Sequence, residues 1–136
     1  MISIEITDVK SFMNQLLLGE KFDRFRCLGF LISGYADFSM EGDVLWKELR
    51  PLALEMIKGH ETPKRMKFVY AMKQEQIPVF LNRKGIPDVQ DVSSLNFTIL
   101  FQEGQMVCTT GCARSTFTLD KTVEQCWDKT MEAYLA

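Results

Sequence analysis

Residues 95–119 read LNFTILFQEGQMVCTTGCARSTFTL, and the way their alternation is parsed decides the fold class. Leu95, Phe97, Ile99 and Phe101 alternate with Asn96, Thr98 and Leu100, the period of two that half-buries a strand. Glu103-Gly104 offers a tight turn into a second strand over 106–110, which makes a hairpin. Gly111 permits a further reversal or bulge, so a third strand is expected over 115–119. Parallel neighbours need a crossover of a dozen or more residues, and no such length separates these segments. The C-terminal half is therefore predicted to be an antiparallel meander. It is closed by a helix capped at Asp120, with Val123, Cys126, Trp127, Thr130, Met131 and Tyr134 on its buried stripe.

Upstream the same rules apply. Ile2, Ile4 and Ile6 alternate with Ser3 and Glu5 over 1–6, a strand, and Thr7 or Asp8 then caps a helix carrying Val9, Phe12, Met13, Leu16 and Leu17, with Gly19 ending it. Residues 25–40, aromatic and broken by Gly29 and Ser33-Gly34, read as one bent strand or as two strands joined by a turn or bulge. A central helix follows, with Asp43 as its cap, a stripe of Leu45, Trp46, Leu49, Leu52, Ala53, Met56 and Ile57, and Gly59 beyond its end. Pro51 inside it deletes a backbone hydrogen bond, which predicts a kink near 47–51 or two short helices. Residues 65–72 alternate Met66, Phe68, Tyr70 and Met72 against Lys67, Val69 and Ala71, another strand. A short helix starting near Pro78 is expected within 73–87, and a helical turn over 88–93. The class is α+β: one mostly antiparallel sheet, packed on one face by N-terminal, central and C-terminal helices, in a single domain over 1–136.

The chain has 136 residues, 46% of them hydrophobic and 25% charged, which is ordinary globular usage and excludes a disordered, collagenous or low-complexity protein. Its apolar runs are a few residues long, far from the ~20 of a membrane span. MISIEITDVK lacks the basic stretch and apolar core of a secretory signal, so a cytoplasmic location with no membrane partner is expected. Net charge is −2, too small to draw the whole molecule to a polyanion. The distribution is uneven, however. Segment 58–84 holds seven bases against two acids, which makes Lys64, Arg65, Lys67, Arg83 and Lys84 candidate contacts for an anion or a nucleic acid. In strand 65–72, Arg65 and Lys67 should face solvent together with Lys64 and Lys73 at its ends. A site exists only if Arg83 and Lys84 join them.

Cys27, Cys108, Cys112 and Cys126 are expected to be reduced and mostly buried. Cys108 and Cys112 have C-x3-C spacing rather than that of a zinc knuckle, so no metal and no cofactor is expected. They remain candidate reactive thiols because Arg114 is near enough in sequence to lower a thiol pKa. His60, the one histidine, has no triad companion and reads as a loop residue rather than a catalytic base. Glu124, Asp128 and Glu132, spaced by four, are expected to face water opposite Trp127. Trp46, Trp127, Phe68, Phe97 and Phe101 read as core, and Tyr35 and Phe38 as the aromatics open to exposure.

One set of local motifs runs through the chain: Ile6-Thr7-Asp8-Val9-Lys10 with Phe12-Met13; Phe22-Asp23; Leu49-Arg50-Pro51; Ile57-Lys58-Gly59 with Thr62-Pro63; Cys108-Thr109-Thr110-Gly111; Phe117-Thr118-Leu119-Asp120-Lys121-Thr122; and Trp127-Asp128. As a set it resembles a family of small uncharacterised proteins from anaerobic clostridia and related gut bacteria. The chain is shorter than that family's usual pattern between Gly42 and Leu45. The resemblance implies a cytoplasmic single-domain bacterial protein and supplies no active-site residues.

No catalytic constellation is complete in the sequence. The leading expectation is a non-enzymatic binding or interaction domain, acting on an unknown protein partner or by self-association. A nucleic-acid-associated protein using segment 58–84 is the alternative, its opening strand-helix-strand order being compatible with clamp-type domains. A small thiol-dependent or hydrolytic enzyme is the third.

Overall fold

The computed structural model describes residues 1–59, 61–87 and 89–135. Six strands, β1 (Ser3–Ile6), β2 (Arg26–Ser33), β3 (Asp37–Leu45), β4 (Arg65–Ala71), β5 (Val92–Gln102) and β6 (Gln105–Arg114), form one antiparallel sheet in the order β1-β6-β5-β4-β2-β3. Four helices accompany it: α1 (Val9–Leu17), α2 (Trp46–Ile57), α3 (Ile77–Arg83), preceded by a 3-10 turn (Gln74–Gln76), and α4 (Thr122–Leu135). The class is α+β.

Alternation decides which face of the sheet is covered. Phe30, Met66, Phe68, Tyr70, Phe97, Ile99, Met106 and Cys108 are buried, and every helix sends side chains into the same cluster. Trp46 of α2 stands edge-on to Phe68 and Tyr70 and donates its Nε1–H to the Leu16 carbonyl of α1 at 2.9 Å. Trp127 of α4 donates to the Asn96 carbonyl of β5 at 2.9 Å and meets Phe80 of α3 edge-on. All four helices thus lie on one side. On the other side, Leu31, Val69, Leu100 and Val107 are half-buried among Lys67, Thr98 and Thr109.

Several expectations need correcting. Residues 25–45 are two strands, and the second runs through Asp43 to Leu45 because Val44 and Leu45 still pair with Cys27 and Arg26. Asp43 is therefore no helix cap. It accepts from Arg26 Nη1 at 2.6 Å, while the Trp46 N–H that opens α2 is satisfied by the Phe25 carbonyl. α2 passes through Pro51 as one helix, and Leu52, expected on its buried stripe, is 49% exposed. The helical turn expected over 88–93 is absent from 89–91, and β5 begins at Val92; Asp88 is outside the described residues.

The hairpin β5–β6 turns as predicted, with Glu103 and Gly104 both at positive φ (53° and 76°), the two-residue turn that suits strand twist. Gly111 does not reverse the chain. β6 continues past it to Arg114, because Gly111 lies opposite Asn96, where a Cβ would collide with the Asn96 side chain. The strand expected over 115–119 is consequently a loop. Its start is tied back to the segment before β5, with Ser115 N–H donating to the Asp91 carbonyl at 2.7 Å.

Candidate functional site

The fold divides the basic segment. Met66, Phe68 and Tyr70 face the helices, so Arg65 and Lys67 of β4 point out of the open face, as alternation requires. They share that face with acids: Lys67 lines a shallow depression that also contains Glu41, and Arg65 is in register with Ser33, itself opposite Asp37. Arg83 and Lys84 end α3 on the helix-covered side. Lys64, Arg65 and Lys67 therefore do not form one surface with Arg83 and Lys84, and the five-residue site expected from sequence does not exist as a unit.

A different basic group replaces it. Arg83 and Lys84 border a groove of about 330 Å³, together with Lys73 from the β4–α3 connection and Arg24 from the segment leading into β2. The groove's apolar wall comes from Phe25, Met72, Phe80, Trp127 and Met131. Of its polar lining, Gln76 and Thr130 are neutral, Thr130 being committed to the Cys126 carbonyl, and none is acidic. Among the described residues no carboxylate pairs with any of the four cations. Arg24 is held by aromatics instead, its guanidinium 4.8 Å from the Tyr134 ring centroid and 5.2 Å from that of Phe25, while Lys84 Nζ sits 5.9 Å from Phe80. Nothing in the sequence groups Arg24 with these cations, since it lies 34 residues before segment 58–84 begins; its one signal is local, a cation next to the aromatic Phe25.

The candidate thiols fare differently. Cys108 is fully buried on the helix side of β6, opposite Ile4 and Ile99, and burial pushes its thiol up to about 12. Cys27 is likewise pushed up to about 11 by burial, its carbonyl neighbour Gly29 accepting the S–H. Cys112 is half-buried, and burial raises it, with Arg114 offsetting part of the effect. Burial outweighs Arg114 at Cys112, and the Arg114 fork is taken by Asp91 at 3.1 and 2.7 Å, a pairing that also holds the Asp91 carboxyl below its usual range. All four cysteines are unbridged. Among the described residues no three His, Cys, Asp or Glu converge as a metal set; His60 lies outside them.

The acidic trio of α4 does not all face water. Asp128 accepts from the hydroxyl of Thr110, a buried residue of β6, at 2.5 Å, and the Met1 amine contacts both Glu124 and Asp128; only Glu132 is exposed. Contacts of this kind join several of the sequence motifs in pairs. Asp23 receives Arg50 through two 2.9 Å bonds and Thr110 meets Asp128, while within a single motif Asp120 accepts from the Thr122 N–H and hydroxyl. Those residues hold α2 and α4 in place, and none of them lines the groove. Phe117 and Leu119 are 91% and 83% exposed in the loop before α4.

No helix among the described residues is long and apolar enough to cross a membrane. No curated protein matches the chain, and no solved structure does. A family model does match, over residues 43–136, from the end of β3 through α4, which covers the motifs from Leu49-Arg50-Pro51 onward and not those before Asp43. On that match, across more than half its length, the chain belongs to a family of unknown function, DUF5721.

Proposed function

We propose that this chain is a non-enzymatic binding domain whose ligand is an anion held in the groove between α3, α4 and the strand ends. One observation carries the reading: four cations from three separate parts of the chain converge on one concave, apolar-walled site that no acid lines. Unneutralised like charges in one groove repel, and an anion relieves that repulsion while the low-dielectric wall strengthens its attraction. Against an enzyme, Cys27 and Cys108 are buried and held protonated, and Arg114 is engaged by Asp91.

The test is calorimetric titration of inorganic pyrophosphate at low salt into the wild-type chain and two double variants. Arg83→Glu/Lys84→Glu should lose about tenfold or more in affinity, equivalent to roughly 1.4 kcal/mol, whereas Arg65→Glu/Lys67→Glu should stay within about twofold. Equal losses, or no binding in any variant, would overturn the reading. A nucleic-acid role predicts a different result: duplex binding that falls with salt at a log–log slope of about −0.9 per phosphate contact and that Arg65→Glu/Lys67→Glu abolishes.

A further inference from the structure

Resting on that reading, we infer that the groove's ligand is a small organic polyphosphate, two or more phosphate groups carried on an apolar or planar body such as a nucleoside. Three features of the groove select this class.

The first is charge. A single carboxylate would neutralise one of the four cations that line the groove, so a ligand with several negative charges matches it better. Phosphoanhydrides do so. Two of the cations are arginines, Arg24 and Arg83, whose planar forks match phosphate oxygens two at a time. Arg24 is already oriented by the Phe25 and Tyr134 rings, which reduces the side-chain entropy lost on binding.

The second is the wall. Phe80 is half-buried at the groove with Val79, 48% exposed, beside it, and this apolar area is still open for a ligand's organic body to cover. Phe80 packs against Trp127 at an interplanar angle of 87°, which restricts its ring, and a restricted aromatic ring lining the groove is a surface on which a planar body can pack. The third is size. About 330 Å³ is at the lower end of small-ligand sites, and all four cations line this one hollow.

The experiment titrates the full chain at low salt with three probes: ADP, inorganic pyrophosphate and adenosine. Expected is ADP binding about tenfold or more tighter than pyrophosphate, with adenosine giving no measurable heat, because a stacked body adds to charge without replacing it. Phe80→Ala should bring ADP to the level of pyrophosphate, and the ratio of the two affinities is the readout, because Phe80 also forms part of the wall beside Lys84. Since Phe80 also packs on Trp127, Phe80→Leu, which keeps the volume and removes the plane, is run alongside with its melting temperature as the folding control. ADP and pyrophosphate binding equally, insensitive to both Phe80 variants, would overturn this inference and leave the anion site standing. Binding of neither would remove the anion site itself, and adenosine binding as tightly as ADP would overturn the requirement for phosphate.

Discussion

Two basic regions of this molecule come from one stretch of sequence, and they end in different electrostatic company. On the open face, Arg65 and Lys67 are set by strand alternation among the acids of β3, with Glu41 in the same depression as Lys67. In the groove, Arg83 and Lys84 are carried by α3 to meet Arg24 and Lys73, with no acid lining the site. A run of bases in sequence is therefore no measure of a basic surface. The topology decides which charges meet: a strand projects its cations one residue in two onto a single face, and a short helix folded back over the sheet delivers its own to the other side.

The largest effect that tests this contrast is on the groove's wall. Trp127→Ala removes a fully buried indole and its bond to the Asn96 carbonyl, and should cost about 3–5 kcal/mol in urea unfolding. A loss below about 1 kcal/mol would mean that α4 does not hold one side of the groove. Next, if the four groove cations repel, a multivalent anion should stabilise the fold by mass action, about 2.7 kcal/mol at one hundred times its dissociation constant. Pyrophosphate should accordingly raise the melting temperature of wild type and of Arg65→Glu/Lys67→Glu, and do much less for Arg83→Glu/Lys84→Glu.

Alkaline pH probes the core behind both regions. Cys27 and Cys108 are raised in the folded state to about 11 and about 12, from an ordinary 9.0. Above pH 9 the unfolded chain releases these protons while the folded chain retains them, so stability is complete below about 9 and declines as pH rises toward the folded values. Cys108→Ala should flatten that decline in denaturant melts between pH 8 and 10.5; an unchanged slope would contradict the buried, protonated thiol. A thiol reagent at neutral pH should likewise reach the half-buried Cys112 and Cys126 first, and Cys27 and Cys108 only on unfolding. The smallest effect belongs to the open face. Arg65→Glu and Lys67→Glu should each change stability by less than about 0.5 kcal/mol, because both side chains are exposed and lie outside every ion pair among the described residues.

How much of this was legible depends on how local each cause is. The β5–β6 hairpin and the buried Val123, Trp127 and Met131 of α4 were readable, though not Leu135, since alternation, a Glu-Gly turn and a helical period are all expressed within a dozen neighbours. Asp43 and Gly111 misled for the opposite reason. An acid before a helical stripe normally caps it, and a glycine after a strand normally turns it; here pairing with β2 kept Asp43 in a strand, and Asn96 across the ladder made Gly111 a site of close approach. Both decisive partners are remote in the chain, 17 residues away for Asp43 and 15 for Gly111. For Glu124 and Asp128 the helical wheel likewise predicts water, because it shows which residues share a face without showing what β6 brings opposite them.

By itself the sequence determined the α+β class, the identity of most core residues and the outward direction of Arg65 and Lys67, because these follow from periodicity and from the removal of apolar surface from water. Only the tertiary structure decided the strand order β1-β6-β5-β4-β2-β3, the pairing of Asp23 with Arg50, and the meeting of Arg24 with Lys73, Arg83 and Lys84. Coulomb forces and hydrogen bonds act across space, and the sheet and its four helices set the distances between groups that the chain keeps up to some sixty residues apart.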